Sequence, residues 1–487
     1  MVAVHLMFFF WPFRYRQVHP LLQSIFESRV EVHGYHRTYF PHPGFVADHV
    51  TFYRHGDMSI PPLATIDRMR VVGHWTTLLF HPHRLNLIVL EGLHVQIPPP
   101  GTKARGMDFD GGVISTSQSE LQIETIAADG TTLDFLRHGQ PPMRFEFRKL
   151  QIHDVTQKQP LQFDLGVKIP GPPGTVLAQG RLGPFKTASY ATTPMAGRYQ
   201  LLDADLSRLP GVSGHATAVG RFSGTFARVE VDGKAAIPDF RAGSAHKVRF
   251  DAEYRLAVNG NDGDVQIESA EVKNGASTIT ASGSVGGKPK KVDLTLATTD
   301  GDVNGLLRIV EEANPEVAGK ISFHAAVQYS PGPGPFLKRV QLRGNAVLAG
   351  LHFITPQEKQ KMDSFSERVS KGTPPEAKDD PPAVTAEAEA GTRFDNGVAY
   401  FPDIRFAMPG ARAHLHGTFN LLDARVHLIG KAALQRSLPH AVTGWKAVLL
   451  KPLAPFFRHK RAGAVVPIAV TGTAEQPRIG ADLLHDK

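Results

Sequence analysis

Apolar and polar residues alternate along most of this chain. In "LQFDLGVKIPGPPG", residues 161–174, Leu161, Phe163, Leu165, Val167 and Ile169 are apolar, and Gln162, Asp164 and Lys168 between them are polar. Prolines and glycines then close the run. A period of two describes a β-strand with one dry face. "VRFDAEYRLAV" sets Val248, Phe250, Ala252, Tyr254, Leu256 and Val258 against Arg249, Asp251, Glu253 and Arg255. "KVDLTLAT" does the same with Val292, Leu294 and Leu296, "ISFHAAVQY" with Ile321, Phe323, Ala325, Val327 and Tyr329, and "ARAHLHGTFNL" with Leu415, Phe419 and Leu421. These read as half-buried antiparallel strands. "NGNDG", "KNGAS", "GGKPK" and "SPGPGP" between them are turn chemistry, in which Asn and Gly supply positive φ and Pro presets a turn entry.

Helical patterns are few. A short helix is expected over 17–28, and others over 303–312, 355–372 and the proline-broken 438–457. Residues 372–391, "GTPPEAKDDPPAVTAEAEAG", pair prolines with charge and lack large apolar side chains, which predicts a surface linker. "ARVEVDGKAA" at 227–236 and "ARVHLIGKAA" at 424–433 each follow a Gly-Thr-Phe step, and together they suggest a repeated hairpin unit. The organisation expected is an apolar segment and short helix over 1–28, a β body over 29–371, the linker over 372–391, and a C-terminal β region over 392–487.

At 487 residues the chain is long enough to bury a large surface, and Gly 46 and Pro 37 favour many turns between short elements. A net charge of +8 is scattered along it, without the clustering of a nucleic-acid footprint. The densest basic group, "RHKR" at Arg458–Arg461, fits either a solvated loop or contact with acidic lipid head groups. No cysteine is present, which excludes disulfides, thiolate metal sites and Cys nucleophiles.

Chemistry is hard to find. His81 with His83, and His36 with His42, lack a third ligand at a diagnostic spacing, so no metal is expected. Asp108 and Asp110 could share a strand face as a hydrolase's carboxylates do, yet any polar strand face has that spacing. None of the nucleophile-elbow, zincin, Walker or dinucleotide fingerprints occurs. No catalytic residue, metal or cofactor is expected, and the chain reads as a non-enzyme. The start, "MVAVHLMFFFWPF", is apolar but too short to span a bilayer as a helix. It fits a shallow anchor, a buried first element, or the tail of a membrane helix.

Both ends carry a family pattern. "SRVEVHGYHRTYFPHPGFVADHVTFYRHG" has a turn at Phe40, Pro41, Pro43 and Gly44, and Leu85–Pro98 follows as an "i..i.l.gl.v.ip" strand. "VVPIAVTGTAEQPRIGADL" closes the chain with Val466, Pro467, Ile468, Val470, Gly472, Pro477 and Asp482. In these stretches the sequence resembles the AsmA-like bacterial envelope proteins related to TamB. The resemblance implies an all-β fold, an elongated, curved antiparallel sheet forming an apolar groove, with a few short helices at the N-terminus and in the C-terminal third. It also implies a periplasmic protein held at the inner membrane by an N-terminal helix, phospholipid as cargo, possible envelope protein partners and a role in outer-membrane biogenesis. Members begin with a full membrane helix, which favours the third reading of the apolar start.

The groove candidates are then Leu161, Phe163, Leu165 and Val167, with Val248, Phe250, Tyr254, Leu256, Ile321, Phe323 and Val327. Two other readings stay open: a scaffolding envelope protein built of closed sandwiches, and a secreted all-β enzyme or glycan binder.

Overall fold

The computed structural model describes residues 13–26, 29–53, 61–80, 84–97, 122–137, 140–156, 159–184, 190–209, 211–260, 262–287, 289–309, 317–333, 336–353, 386–408, 411–434, 465–473 and 477–481. Among the described residues it is all-β, 75% strand and 7% helical, with three short helices. Helix α1 spans Tyr15–Phe26, α2 Trp75–Phe80 and α3 Val303–Leu307.

The strands begin with β1 (Val30–Thr38), β2 (Gly44–Phe52), β3 (Ala64–Val72), β4 (Arg84–Glu91), β5 (His94–Ile97), β6 (Gln122–Asp129) and β7 (Thr131–Arg137). There follow β8 (Gln140–Val155), β9 (Leu161–Pro170), β10 (Pro173–Leu182), β11 (Pro194–Asp205), the two-residue β12 (Val212–Ser213) and β13 (His215–Thr225). Next come β14 (Arg228–Ala242), β15 (Val248–Val258), β16 (Val265–Asn274), β17 (Ser277–Gly286), β18 (Lys291–Asp302), β19 (Val317–Tyr329) and β20 (Val340–Phe353). The last are β21 (Ala386–Asp395), β22 (Val398–Met408), β23 (Ala411–Asn420), β24 (Arg425–Leu434), β25 (Val465–Thr473) and β26 (Pro477–Ala481).

The chain forms two compact units, one of residues 1–208, 215–235 and 257–263, the other of 209–214, 236–256 and 264–487. In the first unit β1 pairs with β2 and β2 with β3, all antiparallel, and β3 pairs with both β4 and β5. The run continues antiparallel from β8 through β9, β10 and β11 to β13. Between them β4–β6 and β5–β7 are parallel, two exceptions to the antiparallel pairing of their neighbours. A parallel pair needs a long return connection, and residues 98–121 supply the length. In the second unit β16 to β26 form one uninterrupted antiparallel succession, each strand paired with the next.

Buried apolar side chains concentrate at one place in the first unit. Phe13 and Val18 pack with Val30, Phe45, Ala47, Val50, Phe52, Ile66, Met69, Val71 and Leu85, so α1 and its approach cover the first strands. The Tyr35 hydroxyl donates to the Phe13 carbonyl at 2.7 Å, and the His19 ring bonds the Val30 carbonyl at 2.9 Å. Burial pushes the Tyr35 phenol well above its usual range.

The helix expected over 17–28 is α1, starting two residues earlier. The helix expected over 303–312 closes after one turn, capped where the Asp302 carboxylate accepts from the Gly305 N–H at 2.8 Å. The helices expected over 355–372 and 438–457, the apolar start over 1–12, and Arg458–Arg461 lie outside the described residues. So does the linker from 372 to 385, while its last residues, 386–391, are paired strand in β21. Leu421, read as a strand residue, stands exposed in the turn between β23 and β24, because the strand ends at Asn420. Both suggested repeat units are strand–turn–strand, with Gly224 and Gly417 at positive φ of 121° and 148°.

Candidate functional site

Residues directly opposite one another in neighbouring strands point to the same face. Followed from partner to partner in the first unit, the register joins Tyr35, Ala47, Met69, Leu90, Ala128, Leu150, Leu165, Ala178, Tyr199 and Gly220. Ten strands each contribute a residue without charge to this row. Beside it runs a second, which opens on Arg37 in β1 and continues uncharged through Phe45, Val71, Ile88, Ile126, Ile152, Phe163, Gly180, Gly197 and Phe222. The alternation read in the sequence therefore extends, strand after strand, into one dry face.

The reverse face is charged. Asp48 meets Arg68 at 2.8 Å, Lys149 meets Asp164 at 2.5 Å, and Lys168 meets Glu146 at 3.2 Å. Hydrogen bonding from Arg68 holds the Asp48 carboxyl below its usual range.

Toward β13 the dry face has an unusual texture. Gly180 and Gly197 lie opposite one another, flanked in register by Phe163 on β9 and Phe222 on β13. The two rings lean inward over the glycines and stack, with centroids 6.4 Å apart and planes 22° apart. A Cβ on Gly197 would meet the Phe222 ring at 2.6 Å and the Gln179 carbonyl at 2.4 Å, so glycine is needed there. Tyr199 likewise lies over Gly220.

The second unit repeats the arrangement. One row joins Ile267, Gly283, Leu294, Val327, Leu342, Phe394, Ala399, Phe419, Val426 and Gly472. A parallel row joins Val272, Ile279, Thr298, Phe323, Ala346, Ala390, Ile404, Leu415, Gly430 and Ile468. Thr298 is its one hydroxyl, and it is silenced by donating to the Thr278 carbonyl at 2.6 Å.

The expected groove residues fall into place unevenly. Leu161, Phe163, Leu165 and Val167 share the dry face of the first unit, with Leu161 and Val167 buried and the other two half-buried. Ile321, Phe323 and Val327 share the dry face of the second, Ile321 opposite Gly301 and Leu348. Val248 is buried, while Phe250, Tyr254 and Leu256 are half-buried; the Phe250 ring meets Phe240 edge-on at 5.0 Å. Sequence reading missed the rows as such, because alternation reveals a face but not which strands adjoin.

Most of the long side chains in these rows are half-buried beyond the cover of α1: Leu150, Leu165, Tyr199, Leu294, Val327, Leu342, Phe419 and Val426 among them. A second sheet packed at about 10 Å would close such side chains off from solvent.

Polar clusters offer less. Asp134, 3% exposed, receives both Arg144 Nε and Nη2 at 2.8 and 2.7 Å, and His94 Nε2 lies 3.5 Å away. The Arg144 hydrogen bonds hold the Asp134 carboxyl below its usual range. With its acceptors engaged by a guanidinium, Asp134 is a structural tie between β7 and β8 rather than a free base. His36 stands 4.0 Å from Asp48, and His42 packs on His74. Among the described residues no three His, Asp or Glu converge as a metal site would require; His81, His83, Asp108 and Asp110 lie outside them. Also among the described residues, no helix is long and apolar enough to cross a membrane.

No family model matches the chain, and no curated protein matches it.

Proposed function

We propose that the chain binds phospholipid through the dry faces of its two units, the acyl chains lying along the register rows. The observation that carries this reading is the combination of rows that stay uncharged over nine or more successive strands with side chains left half-buried. Each methylene taken from water contributes about 0.8 kcal/mol, so a two-chain lipid with half its methylenes covered gains on the order of 10 kcal/mol. The rows are nearly uniform in chemistry, so a lipid could slide along them without a reaction centre, and no catalytic residue is assigned. The resemblance of the chain ends to AsmA-like proteins supports a periplasmic site of action, tethered at the bacterial inner membrane, in outer-membrane biogenesis with envelope protein partners.

Native mass spectrometry of protein purified gently from membranes, with extraction of whatever co-purifies, tests the reading. Phospholipid retained in defined stoichiometry supports it. Monodisperse, lipid-free protein overturns it in favour of a scaffold whose apolar side chains pack on one another.

A further inference from the structure

The charged side of the first unit carries a concavity of about 740 Å³, whose floor includes Gly180 and Gly197. Three arginines line it: Arg181 on β10, Arg198 on β11 and Arg221 on β13. Arg198 and Arg221 are direct partners in register, and Arg181 stands two residues along from Gln179, the partner of Arg198 on the other side. Like charges directly opposite in a sheet repel and are destabilising.

The lining offers no compensation. Asp164, the one carboxylate there, is already held by Lys149 at 2.5 Å, and among the described residues none of the three guanidiniums has an ion-pair partner. Elsewhere on the charged side the pairing is close, as at Arg68 with Asp48 and Lys168 with Glu146. An open basin that gathers three uncompensated guanidiniums, two of them directly opposed, stands apart from those paired charges.

We propose that this basin binds a phosphate group carried on a small organic ligand. Guanidinium presents a planar fork that matches phosphate oxygens in pairs. Three forks offer more N–H donors than the two oxygens of a carboxylate can accept, whereas a phosphate monoester brings three terminal oxygens and nearly two negative charges. Gln179 at the same wall supplies a neutral donor and acceptor for a substituent, beside Gln162, whose Nε2 donates to Asp154 at 2.9 Å, and the volume exceeds what a bare phosphate needs. The site lies on the face opposite the uncharged rows and stands independently of the lipid reading.

The whole protein is titrated calorimetrically with inorganic phosphate and glycerol phosphate at low ionic strength. In parallel, it is tested for flotation with vesicles of phosphatidylcholine alone or with added phosphatidic acid. Arg198→Gln/Arg221→Gln is compared with Arg249→Gln, whose guanidinium is paired with Asp251. Binding of either soluble phosphate, weakened at least tenfold by the double substitution and under twofold by Arg249→Gln, supports a site for soluble phosphate esters. Phosphatidic acid flotation with the same arginine dependence, but no soluble binding, supports a lipid head group as the source. No binding in either arm, or equal loss in both variants, overturns the proposal. Circular dichroism and thermal melting in phosphate-free buffer accompany each variant. Removal of the facing arginines is expected to leave the melting temperature unchanged or raised.

Discussion

Phe163 and Phe222 stack at 6.4 Å although two strands, β10 and β11, run between theirs. Neighbouring strands are about 4.8 Å apart, so the two backbones stand roughly 14 Å from each other and the rings must lean inward to meet. They can do so only because Gly180 and Gly197 present no side chains beneath them. A double-mutant cycle with Phe163→Ala and Phe222→Ala should give a coupling of about 0.5–1.5 kcal/mol by chemical denaturation. Additive losses would show that the rings do not support one another in solution. Gly197→Val should cost more than either alanine change, about 2 kcal/mol or above, because its branched side chain meets the Gln179 carbonyl as well as the ring.

Charge placed on the dry face should remove bound lipid. Phe323→Glu and Val327→Asp are expected to lower the phospholipid co-purified per chain several-fold, while Arg249→Glu, at a polar position of the alternation in β15, leaves it near the parent level. Lipid extraction with phosphorus assay reads the difference, and circular dichroism confirms the fold. Equal lipid in all three folded variants would remove the main support for the lipid reading.

The tie between Asp134 and Arg144 sets an acid limb. The folded Asp134 carboxyl titrates below its ordinary value of 3.8, so its stabilisation is fully present above that value and is lost as pH falls through the folded one. Asp134→Asn should flatten the fall of melting temperature below about pH 4. Arg144→Met should cost about 2–3 kcal/mol at pH 7 by leaving a buried carboxylate without its guanidinium, with part of the loss recovered on acidification.

The cover supplied by α1 can be probed at Phe45, whose ring lies 5.9 Å from Phe13 and 5.2 Å from Tyr35. Phe45→Ala is expected to cost about 3–5 kcal/mol. In hydrogen exchange, amides of β1 and β2 should lose protection while those of β23 and β24, in the other unit, keep theirs.

Much of the fold is legible in the residues themselves. Leu161 to Ile169 and Ile321 to Tyr329 alternate as strands and are strands, and Asn274-Gly275 turns as its chemistry requires, with Gly275 at φ 56°. The faces follow from the same alternation. What alternation cannot carry is the neighbour relation: nothing in Leu165 announces that Ala178 and Leu150 flank it, or that Gly180 will face Gly197. The parallel passage from β4 to β6 depends on the direction of a returning connection, which has no local signature. Bulges are equally silent. Asp203 and Asp300 take φ of 50° and 52° without glycine, at the points where the register shifts and the sequence shows ordinary polar residues. Arg181, Arg198 and Arg221 are far apart in sequence and ordinary one by one; only the register gathers them.

The succession of strands from β16 to β26 has a further consequence for how that unit comes apart. Each strand is hydrogen-bonded to those immediately before and after it, so its stability is a chain of nearest-neighbour couplings, as in repeat proteins. Such a lattice does not melt as one all-or-none body. Its terminal strands should open first and carry the boundary between ordered and open chain inward, one hairpin at a time. Local resistance to denaturant would then report a strand's distance from the nearer end of the succession.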